Sequence, residues 1–191
     1  MPWLIWLLIP TAFWFVFYFI WSLRYRRLRD RGAPTLVYHR VADGFDWGIT
    51  RQARNQFERG IRFLHDEGYR SAGADELIDP QRDDDPKRLL ITFDDGYEDV
   101  YTNAFPILSQ LGFTACVFVV TGYVGREDDW DYHLGRKRKR HLSWEQIAEM
   151  AGAGFEFGSH TVNHPDLTRI ERKFVRHELE TSKQTLEQRL G

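Results

Sequence analysis

From Trp3 to Leu23 the chain runs for 21 residues without a charged side chain. At about 1.5 Å per residue, a helix of that length measures about 30 Å, enough to cross the hydrocarbon core of a bilayer. A helix packed in a globular core keeps a polar face, and this stretch has none. No basic segment precedes it and no small-residue cleavage site follows it, so it reads as an uncleaved transmembrane anchor and not as a signal peptide. Pro10 lies inside the run, where membrane helices tolerate it. Arg24, Arg26, Arg27, Arg29 and Arg31 follow directly. The expected organisation is an anchor over residues 1–23, a basic juxtamembrane linker over 24–33 and a folded domain over 34–191.

The rest of the chain has the patterning of alternating strands and helices. Thr35–Val41, Leu89–Phe93, Thr114–Thr121 and Phe155–Ser159 are short runs rich in apolar, β-branched and aromatic residues, as parallel strands buried on both faces are. Between them, Phe57, Ile61 and Leu64, and then Val100, Ala104, Ile107, Leu108 and Leu111, recur at helical spacing. Gly68 and Gly112 sit where left-handed helix caps belong. Ser143 with Gln146, and Thr168 with Glu171, have the spacing of capping boxes. The last helix is expected from Thr168 to Leu190, with Val175, Leu179, Ser182, Leu186 and Leu190 on one face. This alternation predicts an α/β fold with a parallel sheet, open or closed into a barrel. A closed barrel of this kind takes about 250 residues. The chain ends on a helix at Gly191, so only about the first four strand–helix units are expected here.

Composition removes some functions. There are 26 Lys and Arg against 28 Asp and Glu, a net charge of −2, and hence no basic excess for nucleic acid. A single cysteine, Cys116, rules out an intramolecular disulfide and a cysteine-rich metal site. Asp83-Asp84-Asp85-Pro86 reads as a polar turn.

Two stretches carry chemistry. Leu89 to Phe93 is a buried strand that ends in Asp94-Asp95-Gly96, and the C-terminal ends of parallel strands are where α/β folds build their sites. Successive strand side chains point to opposite sides, so one carboxylate can bind a metal while the other stays free. Asp-Gly is also a common turn pair, and a plain turn is the bland alternative. The fourth strand ends at His160-Thr161-Val162-Asn163-His164-Pro165. Two histidines four apart on one helical turn can reach one cation, and Pro165 keeps such a turn short. Two imidazoles and a carboxylate suit zinc or a neighbouring transition metal and leave coordination positions open.

Thr92-Phe93-Asp94-Asp95-Gly96 and His160-Thr161-Val162-Asn163-His164-Pro165 resemble the first and second motifs of the polysaccharide deacetylases, the carbohydrate esterases with NodB homology. Leu36-Val37-Tyr38-His39-Arg40-Val41 and the stretch from Phe57 to Leu77 resemble the lead-in of membrane-bound and secreted members. The resemblance covers about residues 34–191. It implies a distorted (β/α) barrel, a divalent metal (zinc, or else cobalt) and hydrolysis of N-acetyl or O-acetyl groups on a polysaccharide or oligosaccharide. It also implies Asp94 as general base and Asp95, His160 and His164 as metal ligands. The later motifs, an arginine–proline segment, a tuning aspartate and a late histidine serving as general acid, find no match before Gly191. The domain is therefore expected to be incomplete at its C-terminus and to bind metal without efficient turnover. His39 and His177 remain as acid candidates and read as structural.

The basic run Arg136 to Arg140 follows Glu127, Asp128, Asp129 and Asp131 and reads as a solvated loop. Trp130 and Tyr132, in the same loop, are aromatic residues that could stack on a sugar. Two other readings compete: a membrane-tethered sugar-binding module without catalysis, and a metal-dependent phosphoesterase, which would call for more carboxylates. Topology divides the signals. The arginines after the span favour a cytoplasmic domain, whereas the resemblance favours the outside, where polysaccharides lie. The reading adopted is extracytoplasmic.

Overall fold

The computed structural model describes residues 34–44, 50–78, 85–127 and 138–191. The anchor expected over 1–23, the linker over 24–33, Asp83 and Asp84, Trp130 and Tyr132, and the first two residues of the basic run lie outside the described residues. Among the described residues no helix is long and apolar enough to cross a membrane. The chain divides into two units at residues 33 and 34, and the second is Pro34–Gly191.

In chain order this unit contains β1 (Thr35–Tyr38), β2 (Arg40–Val41), β3 (Arg51–Gln52), helix α1 (Arg54–Asp66), β4 (Arg70–Ser71), the short α2 (Ala74–Ile78) and β5 (Arg88–Phe93). There follow a π turn over Val100–Ala104, α3 (Phe105–Gln110), β6 (Cys116–Val119), a 3-10 turn over Thr121–Tyr123, α4 (Trp144–Gly152), β7 (Glu156–Ser159) and α5 (Arg172–Leu190). The sheet is parallel in the order β1-β5-β6-β7, with β4 paired to the start of β5. These are the α/β alternation and the parallel pairing that the sequence predicts.

β5 is the centre of the core. Leu89, Ile91 and Phe93 are at most 2% exposed, and Thr92 is buried beside them. Complete burial of each such apolar side chain contributes about 1.5–3 kcal/mol. Phe57 of α1 meets Tyr38 edge-on, with ring centroids 5.1 Å apart, and Tyr38 stacks on Phe93 at 5.5 Å. Ile107 and Leu108 of α3, Ile147 and Met150 of α4, and Leu186 of α5 complete the same cluster.

Three details depart from the sequence reading. The first strand, expected over Thr35–Val41, breaks at His39: Tyr38 pairs with Phe93 of β5, whereas Arg40 and Val41 pair with β3. The break is held by Asp99, whose carboxylate accepts from Arg40 Nε at 2.7 Å and from the Val41 N–H at 3.2 Å. The helix read from Val100 to Leu111 opens as a π turn, because Pro106 has no N–H to donate one turn back and the preceding turn widens. The last helix starts at Arg172, not at Thr168. Thr168 turns to Asp166 instead, donating both its N–H and its hydroxyl to one carboxylate oxygen, so no capping box forms there. The buried face of α5 is Glu178, Ser182 and Leu186, while Leu179 is exposed.

At Ser143 the expected capping box is present, with its side chain and that of Gln146 exchanging hydrogen bonds with each other's backbone. Ser143→Ala should cost about 1 kcal/mol, read as a lower urea midpoint at unchanged m value. Burial, and then the charges of Glu156 and Asp94, push the Cys116 thiol up to about 11. At pH 8 it should resist thiol reagents in the folded protein and react at once in denaturant. Fast labelling of the native chain would show that the β5–β6 region opens readily.

Candidate metal centre

The site lies where β5, β6 and β7 end on one side of the sheet. The Asp94 N–H donates to the Tyr38 carbonyl at 2.9 Å, which carries the β1–β5 ladder one residue past the strand. Asp95 and Gly96 then turn with φ of 68° and 66°, a left-handed pair that a glycine accepts without strain and an aspartate accepts more readily than most residues. The turn and the site are thus the same residues. Asp95 is buried, and its side chain is 10% exposed against 24% for Asp94.

At the end of β7, the His160 N–H donates to the Val119 carbonyl at 2.9 Å, which continues the β6–β7 ladder. Nε2 of His160 and Nε2 of His164 each lie 3.5 Å from Oδ1 of Asp95. The three ligating atoms lie within 4.8 Å of one another. Two ligands about 2.1 Å from a tetrahedral zinc stand about 3.4 Å apart, so the two spacings from Asp95 to the imidazoles fit such a cation, and the donor set is of the kind zinc accepts. Burial drives the His160 imidazole below its ordinary pKa, against the opposing pull of Asp95. That favours the neutral ring, the form able to ligate.

The two histidines do not share a helical turn. Residues 160–164 form an irregular loop in which Thr161 and His164 take φ of 67° and 55°. Left-handed conformations at residues other than glycine concentrate at sites where surrounding contacts over-determine them. Together with Asp95, these are the positive-φ residues other than glycine among the described residues, and all three belong to this site.

Of the other histidines, His39 comes into the site: its Nε2 lies 3.8 Å from Asp94 Oδ2, an electrostatic contact longer than a hydrogen bond. His177 lies on the exposed side of α5, bonded to Thr181 one turn on. Two further residues shape the site without having been singled out in the sequence. His141, 1% exposed, places Nδ1 2.9 Å from the Asp95 carbonyl, and since a carbonyl only accepts, that nitrogen carries the proton. Glu178, 7% exposed, accepts hydrogen bonds at 2.8 Å from the Val162 N–H, the Asn163 N–H and the Asn163 side chain. Burial raises its pKa, but these three bonds outweigh it and hold the carboxyl below its usual range. The available signal for Glu178 was its spacing of four from Ser182 and of eight from Leu186.

Known proteins are similar to this chain. YxkH of Bacillus subtilis, a protein named for polysaccharide deacetylation, is 32% identical over 153 residues, covering 78% of this chain and 50% of its own length. The poly-beta-1,6-N-acetyl-D-glucosamine N-deacetylase of Escherichia coli K12 is 31% identical over 140 residues, covering 69% of this chain and 21% of its own. The chain thus spans about half the length of the first relative and about a fifth of the second. Among solved structures, the Streptococcus pyogenes deacetylase PplD in complex with acetate superposes with a TM-score of 0.71 at 27% identity, covering 83% of this chain and 69% of that one. A sequence profile described as polysaccharide deacetylase matches residues 81–191, more than half of the chain and inclusive of both strand-end carboxylates and both histidines. On that match, with the fold and site geometry in agreement, the chain belongs to the polysaccharide deacetylase family.

Proposed function

We propose that this chain is a metal-dependent hydrolase that removes acetyl groups, N-linked ones first, from an N-acetylglucosamine polysaccharide or oligosaccharide. The observation that carries the reading is the meeting of Asp95, His160 and His164 around one point, with the more accessible Asp94 next to it on the strand end. The relatives' names support the acetylated-glycan substrate. Zinc is the cation we favour, with cobalt as its nearest substitute. We read the sheet as part of a distorted (β/α) barrel. Residues 3–23 are proposed to anchor the chain in a membrane, with residues 34–191 on the extracytoplasmic side where polysaccharide lies.

A divalent cation held by Asp95 and the two histidines would polarise an acetyl carbonyl and lower the pKa of a coordinated water towards neutrality. The remaining work belongs to the chain. Asp95, buried and close to both imidazoles, is committed to ligation. Asp94, beside that point and 3.8 Å from His39, is open enough to take a proton from an attacking water. His141, bonded to the Asp95 carbonyl, supports the turn that carries this carboxylate.

The purified 191-residue chain should bind about one zinc, and His160→Ala or His164→Ala should weaken binding sharply, because two ligands seldom hold zinc. Asp94→Asn should keep most of the affinity while lowering whatever acetate release the unsubstituted chain shows on an acetylated chito-oligomer by ~10²–10⁴. Equal loss of zinc in Asp94→Asn and Asp95→Asn would sink the division of labour, and turnover untouched by Asp94→Asn would sink the mechanism. In intact spheroplasts, added protease should digest residues 34–191. Protection until lysis would reverse the proposed topology.

A further inference from the structure

We propose that Glu178, on α5, is a positioning residue that sets the shape of the loop between His160 and His164 and thereby the affinity of the metal centre. The inference rests on the reading of Asp95, His160 and His164 as ligands, and it concerns a residue that touches none of them.

The Thr161 N–H lies 3.4 Å from Ser159 Oγ, and the His164 N–H donates to Thr161 Oγ1 at 3.0 Å. The Thr161 carbonyl accepts from the Thr121 N–H at 3.1 Å, and the Val162 carbonyl accepts from the Gly122 N–H at 2.9 Å. The N–H groups of Val162 and Asn163 remain, and both go to one oxygen of Glu178, each at 2.8 Å. Its second oxygen takes the Asn163 side-chain amide, also at 2.8 Å. The loop is therefore gripped from two sides, its carbonyls by the turn after β6 and its N–H groups by a carboxylate on α5.

That grip has something to hold. Thr161 and His164, on either side of the two clamped N–H groups, are left-handed, a conformation that side chains other than glycine's adopt only when held. A looser loop would relax both and separate the imidazoles. Gly122 shows how closely the opposite side is fitted, since a Cβ there would stand 2.5 Å from the Val162 carbonyl oxygen. α5 is itself fixed against the strand end, where Ser182 bonds Ser159, and against the core through Leu186. Glu178 thus transmits the position of a packed helix to the loop carrying two of three ligands. Partners that orient metal ligands typically change affinity by about 10–100-fold when removed.

Both backbone N–H groups go to a single oxygen, so a glutamine amide can replace the carboxylate: its carbonyl accepts from both, and the Asn163 amide turns to accept from its NH₂. The test is calorimetric titration of the purified full chain in detergent with zinc alone, and the visible spectrum of the same variants with cobalt alone. Glu178→Leu should bind zinc at least about tenfold more weakly, with an altered cobalt spectrum. Glu178→Gln should stay within about threefold of the unsubstituted chain. Ile61→Ala, buried on α1 and away from α5, should lower the Tm and leave zinc affinity unchanged. Unchanged affinity in Glu178→Leu, or equal loss in Glu178→Gln and Glu178→Leu, would overturn the inference while the metal centre stands. Should Glu178→Leu not fold, Asn163→Ala removes one of the three bonds from an exposed position, and affinity unchanged there overturns it equally. An unsubstituted chain that takes up no zinc, or His160→Ala and His164→Ala variants that bind as it does, would overturn the metal reading and this inference with it.

Discussion

The parallel ladder that places β5 between β1 and β6 is the constraint from which the site follows. Because β5 is bonded on both sides and its Leu89, Ile91 and Phe93 are excluded from water, its C-terminal end cannot shift without breaking the core. Asp94 and Asp95 are therefore delivered to a fixed point. The same ladder, extended through β6 to β7, brings His160 to that point from 66 positions along the chain from Asp94, with the Val119 carbonyl as the final bond. Parallel strands end together on one side of a sheet, and the approach of His160 to Asp95 is a consequence of that pairing.

Beyond the strand ends the chain must leave the sheet in directions that ordinary extended or helical backbone does not supply. Asp95, Thr161 and His164 make those turns in the left-handed region. Each is supported by polar groups from elsewhere: His141 on the Asp95 carbonyl, Glu178 on the N–H groups between the histidines, and the turn after β6 on the carbonyls. A buried peptide group without a partner is costly, and here nearly every one around the ligands has a named partner. Strain and satisfaction meet in the same few residues.

What could be read in the sequence was whatever is local. Asp94-Asp95-Gly96 after a buried apolar run, and His160 and His164 four apart, advertise themselves by residue type and spacing, and so does the Ser143 capping box. Placing the two histidines on a helical turn was wrong because spacing alone cannot tell a helix from a loop whose ends are clamped from outside. The break at His39 was hidden because its cause, Asp99, lies 58 and 59 residues from its two partners. Glu178 was not singled out; its spacing from Ser182 and Leu186 places it on the buried side, and only contact with the loop shows why a charge is tolerated there.

By itself the sequence determined the α/β class, the order of the main strands and the identity of the residues able to hold a cation, because periodicity and side-chain chemistry are properties of short stretches. The tertiary structure decided which carboxylate faces the imidazoles, how the histidine loop is bent and which distant groups hold it. Those outcomes depend on hydrogen bonds between residues from about 15 to 60 positions apart. Such pairings exist only once packing has brought the elements together.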